Sequence, residues 1–334
     1  MGSTCSQDTT EKVDGSPPEI NLTFDPIKTK NKSYRVQEAL KTDVPALSTD
    51  MVMIRESLEN IKEKGEPIKS QTSGKFSHPY KYTSLDNSGS SSEKVGYYTG
   101  TFSQNGLRCG TGTMIWEEPL SIYCGQWDND KANGWGYLIL DSKEHYYGMW
   151  KDDKAHGEGT YVHSDGSSYE GNWKLDKQEG IGKETWPDGS TFDGIYVDSR
   201  KNGYGEFNWA DGTKYKGEMK DNKIEGKGIY LWQDGRVYDG KWHNNQMHGD
   251  GDFKWKDGKH YNGQFFQDKK HGQGTFTWPD ERKYVGNWSN GKQFGPGVFF
   301  TGDNKQGYPG TWAADGTVAW KDGKGPQNNA KTRK

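Results

Sequence analysis

The sequence predicts an all-β protein: an elongated, single-layer antiparallel meander of about ten hairpins, preceded by a mostly irregular N-terminal arm with one short helix. Three observations predict it. An aromatic residue recurs at Tyr98, Tyr123, Tyr146, Tyr169, Phe192, Tyr215, Tyr238, Tyr261, Tyr284 and Tyr308, with a step of 23 residues from Tyr123 through Tyr284. Within each repeat, positions such as Tyr169, Gly171 and Trp173 alternate with Glu170, Asn172 and Lys174, the period-2 pattern of a half-buried strand. Asp-Gly pairs punctuate the repeats at Asp165-Gly166, Asp188-Gly189, Asp211-Gly212, Asp234-Gly235, Asp257-Gly258 and Asp315-Gly316. Asp-Gly favours tight hairpin turns in which both central residues take positive φ.

Taken in chain order, residues 1–95 form an arm rich in Ser, Thr, Lys, Pro and Asn, expected to be largely extended or disordered alone. A helix is predicted near 49–64. Ser48 or Thr49 serves as N-cap, Met51, Ile54, Leu58 and Ile61 make a narrow apolar stripe, and Gly65 and Pro67 end it. Residues 96–320 form the repeat array. Each repeat reads as two strands, the second carrying G-x-G, whose first glycine falls at Gly134, Gly157, Gly180, Gly203, Gly226, Gly249, Gly272 and Gly295. These glycines share a face with the aromatics, so that rings can lie over bare backbone. With strands ~4.8 Å apart, the array should extend on the order of 90–100 Å, each repeat supported mainly by its neighbours. Residues 321–334 are a basic tail.

Composition agrees. Of 334 residues only 29% are hydrophobic, 13% are aromatic and 46 are Gly, which leaves too little Val, Ile and Leu for a thick aliphatic core. All 14 tryptophans and 16 of the 19 tyrosines lie beyond residue 95, so cohesion is assigned to aromatic ladders over glycine. No stretch approaches the ~18 apolar residues of a membrane span and no apolar signal core follows Met1, which predicts neither a transmembrane nor a secreted protein. Residues 96–320 carry 26 basic and 32 acidic side chains, a balance ill suited to tracking phosphates, so nucleic acid is not an expected partner. Cys5, Cys109 and Cys124 form no CxxC pair, which suits a reducing compartment.

The pattern Y-x-G-x-W-x6-G-x-G-x5-D-G resembles the MORN repeat, over about residues 97–320; YEGNWKLDKQEGIGKETWPDG and YDGKWHNNQMHGDGDFKWKDG match it almost letter for letter. The closing stretch VFFTGDNKQGYPGTW resembles the last repeats of radial spoke head MORN proteins of motile cilia, although the tail here is basic rather than acidic. The resemblance implies a non-catalytic scaffold of the cytoskeleton, at the radial spoke head of the ciliary axoneme. Its partners would be spoke-head proteins, another MORN-type sheet or a second copy. A single sheet with one ring-lined side exposes a large apolar area, and aromatic residues dominate binding energetics. The candidate partner-binding face is therefore Tyr146, Trp150, Tyr169, Trp173, Trp186, Trp209, Tyr215, Trp232, Tyr238, Trp242, Trp255, Tyr261, Trp278, Tyr284 and Trp288.

Catalytic motifs are missing. The G-x-G pairs read neither G-x-G-x-x-G nor G-K-[ST], and they recur in every repeat where a catalytic loop would occur once. His156, His248 and His271 precede G-x-G pairs without an H-E-x-x-H or paired cysteine, and read as loop histidines. No enzyme, metal or cofactor is expected. Lys131, Lys154, Lys177, Arg200, Lys223, Lys269 and Lys292 form a cation row which the resemblance marks as a phosphoinositide candidate. An acid or Asn just before each, from Asp130 to Asn290, suggests instead a locally compensated edge. Finally, Met1-Gly2-Ser3-Thr4-Cys5-Ser6 matches a myristoylation pattern at Gly2 with Cys5 placed for palmitoylation. That supports an alternative reading: an acylated organiser on the cytoplasmic face of a membrane, linking it to cytoskeletal or signalling partners.

Overall fold

The computed structural model describes residues 78–85, 91–117, 119–302 and 306–326. The predicted helix near 49–64, the lipidation candidates Gly2 and Cys5, and residues 327–334 of the tail lie outside them. The described chain is all-β and falls into two compact modules, one ending at Ser199 and one beginning at Arg200.

In the first module, strands β1 (His78–Leu85), β2 (Ser91–Phe102), β3 (Arg108–Glu117), β4 (Leu120–Asp128), β5 (Lys131–Leu140), β6 (His145–Lys151), β7 (Lys154–Val162), β8 (Ser168–Lys174), β9 (Lys177–Thr185) and β10 (Thr191–Val197) pair each with the next, always antiparallel. β1 lies in the stretch the sequence reads as arm, and adds an edge strand to β2 from His78↔Tyr98 to Leu85↔Ser91. The second module repeats the arrangement with β11 (Arg200–Asn208), β12 (Lys214–Lys220), β13 (Lys223–Leu231), β14 (Val237–His243), β15 (Gln246–Lys254), β16 (His260–Phe266), β17 (Lys269–Thr277), β18 (Lys283–Ser289), β19 (Lys292–Phe300), β20 (Gly307–Trp312) and β21 (Val318–Trp320). Each module is an open meander.

The core is the tyrosine of each repeat laid over a cross-strand glycine pair. Gly171 pairs with Gly182, and a Cβ on Gly182 would stand 2.7 Å from the Tyr169 hydroxyl. Tyr169 is 0% exposed, and its hydroxyl donates to the Asn172 carbonyl at 2.6 Å. The same closure recurs at Tyr146 to Met149 (3.0 Å), Tyr215 to Glu218 (2.8 Å) and Tyr261 to Gln264 (2.9 Å). Tryptophan indoles reach back one repeat: Trp173 donates to the Gly159 carbonyl at 3.0 Å and Trp242 to Gly228 at 3.1 Å. Rings therefore fill the volume that glycine leaves, and their polar tips are satisfied by strand carbonyls.

The turns differ from expectation in a way that matters. At the Asp-Gly turns only the glycine takes positive φ. Gly189 has φ +89° and donates to the Trp186 carbonyl, while Asp188 accepts from the Ser190 amide, so the loop is a three-residue turn ending in a left-handed glycine. The two-residue turns with both φ positive are the ones before the strands that carry G-x-G: Asp152-Asp153 (50°, 64°), Leu175-Asp176 (52°, 67°) and Asn244-Asn245 (49°, 66°). The first glycine of G-x-G also has a task the sequence reading missed. Gly226 (φ +70°) sits in a β-bulge where β12 and β13 shift register between Gly217 and Met219.

Candidate partner-binding surface

The structure sorts the candidate aromatic face by depth. Tyr169, Tyr215, Tyr238, Tyr261 and Tyr284 are 0% exposed and Tyr146 is 3%. Trp232, Trp242 and Trp288 are also buried. What reaches the surface is a subset: Trp150, Trp173, Trp186, Trp209, Trp255 and Trp278 are half-buried. Burial also raises the tyrosine phenols. Tyr284 is pushed up to about 12 by desolvation, and Tyr146, Tyr169, Tyr215, Tyr238 and Tyr261 are raised further by the same cause.

In the second module the half-buried tryptophans belong to a continuous ladder. Phe207 stacks on Trp209 (centroids 4.7 Å apart, planes 8°), Trp209 meets Tyr230 at 5.5 Å, Tyr230 meets Trp232 at 4.5 Å, and Trp232 meets Phe253 at 5.3 Å. Contacts continue through Phe253–Trp255 (4.3 Å), Trp255–Phe276 (5.6 Å), Phe276–Trp278 (4.7 Å) and Trp278–Phe299 (5.9 Å). Phe207, Tyr230, Phe253, Phe276 and Phe299 were not singled out from sequence. The signal for the first four is an aromatic two places before Trp209, Trp232, Trp255 and Trp278; Phe299 stands two places before Thr301 and carries no such mark. Lys270 enters this ring set, its ammonium 4.4 Å from the Phe276 centroid and 4.7 Å from that of Trp288. A parallel row links Tyr238 to Trp242 (5.1 Å) and Tyr261 to Trp288 (5.2 Å).

The aromatics are not confined to one side, as the sequence reading had it. Trp135, Tyr137 and Tyr147 lie on the opposite face, where Trp135 pairs with Met149 and Tyr137 with Tyr147 across β5 and β6. Tyr204, 53% exposed, likewise faces away from the ladder. These residues occupy the x positions of the pattern, which the repeat leaves unconstrained.

The cation row is compensated, but not locally. Lys131 pairs with Asp152 (3.3 Å), Lys154 with Asp176 (2.9 Å), Lys177 with Asp198 (2.7 Å) and Arg200 with Asp221 (3.2 Å), each on the next turn along. Pairs half-exposed like these contribute little stability, but they take up the charge a phosphate would need. Beneath them the turns are fastened to one another. The Ala132 amide donates to Asp153 Oδ1 at 2.7 Å while Asp153 donates back to the Ala132 carbonyl at 3.1 Å. Ala155 and Asp176, Ile224 and Asn245, and Met247 and Asp268 repeat the exchange. Asp268 is buried, and desolvation raises its carboxyl above the ordinary range despite the Met247 amide pulling the other way.

His156, His248 and His271 lie near the starts of β7, β15 and β17 rather than in loops between hairpins. His248 contacts His243 (5.6 Å) and Phe266 (5.0 Å). Among the described residues no three His, Cys, Asp or Glu side chains gather as a metal-ligand set. No helix among them is long and apolar enough to cross a membrane.

Comparison with known proteins places this geometry. A probable serine/threonine-protein kinase of Dictyostelium discoideum is 47% identical over 45 residues, which span 14% of this chain and 3% of that protein. Among solved structures, a mutant TCP10 domain of Danio rerio CPAP aligns over 71% of this chain and 96% of its own at 10% identity and TM-score 0.20. A streptogramin B lyase aligns over 76% and 84% at 10% identity and TM-score 0.13. The MORN repeat family matches at residues 98–118, 123–138, 146–168, 169–191, 192–214, 215–235, 238–260, 261–281 and 284–305. Those matches cover more than half of the sequence, in the register of the buried tyrosines and paired glycines, and the chain belongs to the MORN-repeat family.

Proposed function

We propose that this chain is a non-catalytic scaffold that captures a segment of a protein partner along its half-buried tryptophans. The observation that carries the reading is the ring ladder of the second module. Trp209, Trp255 and Trp278 keep part of each ring at the surface while their other contacts hold them rigid. Rigid, partly exposed indoles bind with little loss of side-chain entropy. The setting we assign is the radial spoke head of the ciliary axoneme, on the likeness of VFFTGDNKQGYPGTW to the closing repeats of spoke-head MORN proteins. There the partner is a spoke-head protein, another MORN-type sheet or a second copy.

The test uses Trp209→Ser and Trp278→Ser, which spare the buried Trp232 and Trp242. Affinity capture from solubilised axonemes should recover spoke-head proteins with the parent chain and lose them at least tenfold with the double variant, at unchanged circular dichroism. Equal recovery would reject the tryptophan row as the binding surface. Absence of the native chain from detergent-resistant axonemes would reject the ciliary setting.

A second reading rests on Met1-Gly2-Ser3-Thr4-Cys5-Ser6: a tether carrying two acyl chains, with the scaffold gathering partners beneath a membrane. Intact mass of the native N-terminus decides it, because an unmodified terminus removes the tether.

A further inference from the structure

Beside the tryptophans of the second module stands a row of cations. Three later turns read Trp232-Gln233-Asp234-Gly235-Arg236, Trp255-Lys256-Asp257-Gly258-Lys259 and Trp278-Pro279-Asp280-Glu281-Arg282. In earlier repeats the last of these places is held by Ser190 and Thr213, both buried. Each turn is closed by the tryptophan amide donating to the carbonyl of the cationic residue, at 2.9, 2.9 and 2.8 Å, which holds the two residues side by side. The Arg236 guanidinium lies 5.2 Å from the Trp232 centroid, and that of Arg282 lies 5.6 Å from the Trp278 centroid. Asp234 and Asp280 each accept from the arginine Nε at 2.7 Å. Among the described residues Nη1 and Nη2 of both arginines form no hydrogen bond, so each guanidinium is oriented with its outer donors open.

We propose that this ladder takes an acidic, extended protein segment with a carboxylate at every third residue, received by Arg236, Lys259 and Arg282. The inference rests on the tryptophan row being the binding surface, and adds the chemistry of its partner. Successive cations lie two strands apart, about 9.6 Å, and three residues of extended or polyproline chain advance about 9–10 Å. A segment running across the strands therefore brings every third side chain to a cation and its other side chains to the indoles of Trp255 and Trp278. Asp234, Asp257 and Asp280 balance the three cations, so recognition comes from the open donors rather than from net charge. A phosphate-rich surface, which is bound through an excess of Lys and Arg, is not favoured by that balance. A side-chain carboxylate is, because its two oxygens match the two terminal nitrogens of an arginine.

Fluorescence anisotropy on the full chain tests this with two labelled peptides, Glu-Pro-Leu repeated four times and the same peptide with Gln for Glu. The parent chain should bind the Glu peptide at least tenfold more tightly. Arg236→Gln with Arg282→Gln should abolish that margin. Arg236→Lys with Arg282→Lys keeps the charge without the paired donors and should reduce it at least threefold. Lys216→Gln with Lys241→Gln removes as much charge from the opposite face, where these side chains bond Glu206 and Asp250, and should change nothing. Circular dichroism should be the same for all. Equal affinity for the two peptides, or equal loss from the two pairs of Gln variants, would overturn the proposal. Vesicles of anionic lipid that bind through Arg236 and Arg282 while the Glu peptide does not would overturn it too, in favour of a phosphate surface. The underlying reading fails by a different result: Trp209→Ser with Trp278→Ser leaving the affinity for both peptides unchanged.

Discussion

Tyr169 and Gly182 state the local rule of this molecule: a phenol ring occupies the space that a side chain would take. Gly182→Ala would drive a methyl into a ring with no exposed surface to move toward, at a cost of about 2–3 kcal/mol. Gly189→Ala meets nothing within 4 Å and is penalised only by its φ of +89°, about 1 kcal/mol. Urea midpoints of the two variants should separate accordingly. The ladder phenols carry a pH dependence. Their folded pKa is raised above the ordinary value near 10, so their stabilisation is complete below pH 10 and declines as pH rises toward and beyond 12. Absorbance at 295 nm should show these phenols ionising together with loss of the circular dichroism signal. Ionisation near pH 10 in an intact fold would contradict their burial.

Among the elements, the turns separate what was legible from what was not. Strand alternation, the tyrosine register and the glycine pairs could be read directly, because period 2 and a 23-residue step are properties of the sequence itself. The two-residue turns could not. Leu175-Asp176 and Gln267-Asp268 contain no glycine, and their left-handed backbone is held by an exchange of hydrogen bonds with a residue 21 positions earlier. The cation row misled for the same reason, since Lys131 finds Asp152 rather than its neighbour Asp130. Asp153→Ala should leave the buried Ala132 amide unsatisfied and destabilise by about 1–3 kcal/mol in denaturant titration. Asp268→Asn should do the opposite. Asn keeps the acceptor for Met247, as Asn245 does for Ile224, without a buried charge. The raised Asp268 carboxyl weakens the fold as pH climbs through its folded pKa, so the variant should unfold at higher urea at pH 7. That advantage should shrink as pH falls below the raised value.

For the molecule as a whole, cohesion by nearest neighbours means that stability is graded rather than uniform. β21 contributes only the pairs Gly310↔Trp320, Thr311↔Ala319 and Trp312↔Val318, whereas β13 is paired along its length on both sides. Hydrogen exchange should therefore be fastest in β21 and slowest near β13–β16, rising inward from the end of the array. Uniform protection would mean that something other than neighbouring strands stabilises the sheet. The site was less legible than the fold. Aromatic content marked the ladder, but depth decided which rings reach solvent, and depth depends on the glycines of the adjoining strand.

The exchange between Asp153 and Ala132, repeated along each module, always runs from a later turn to an earlier strand. During synthesis the docking point for each turn thus leaves the ribosome before the turn itself. Every addition closes a segment of about twenty residues, a modest entropic step compared with pairing distant termini. The fold can accordingly accrete from its N-terminal side as translation proceeds, and duplication of one 23-residue block would lengthen it while reproducing each junction.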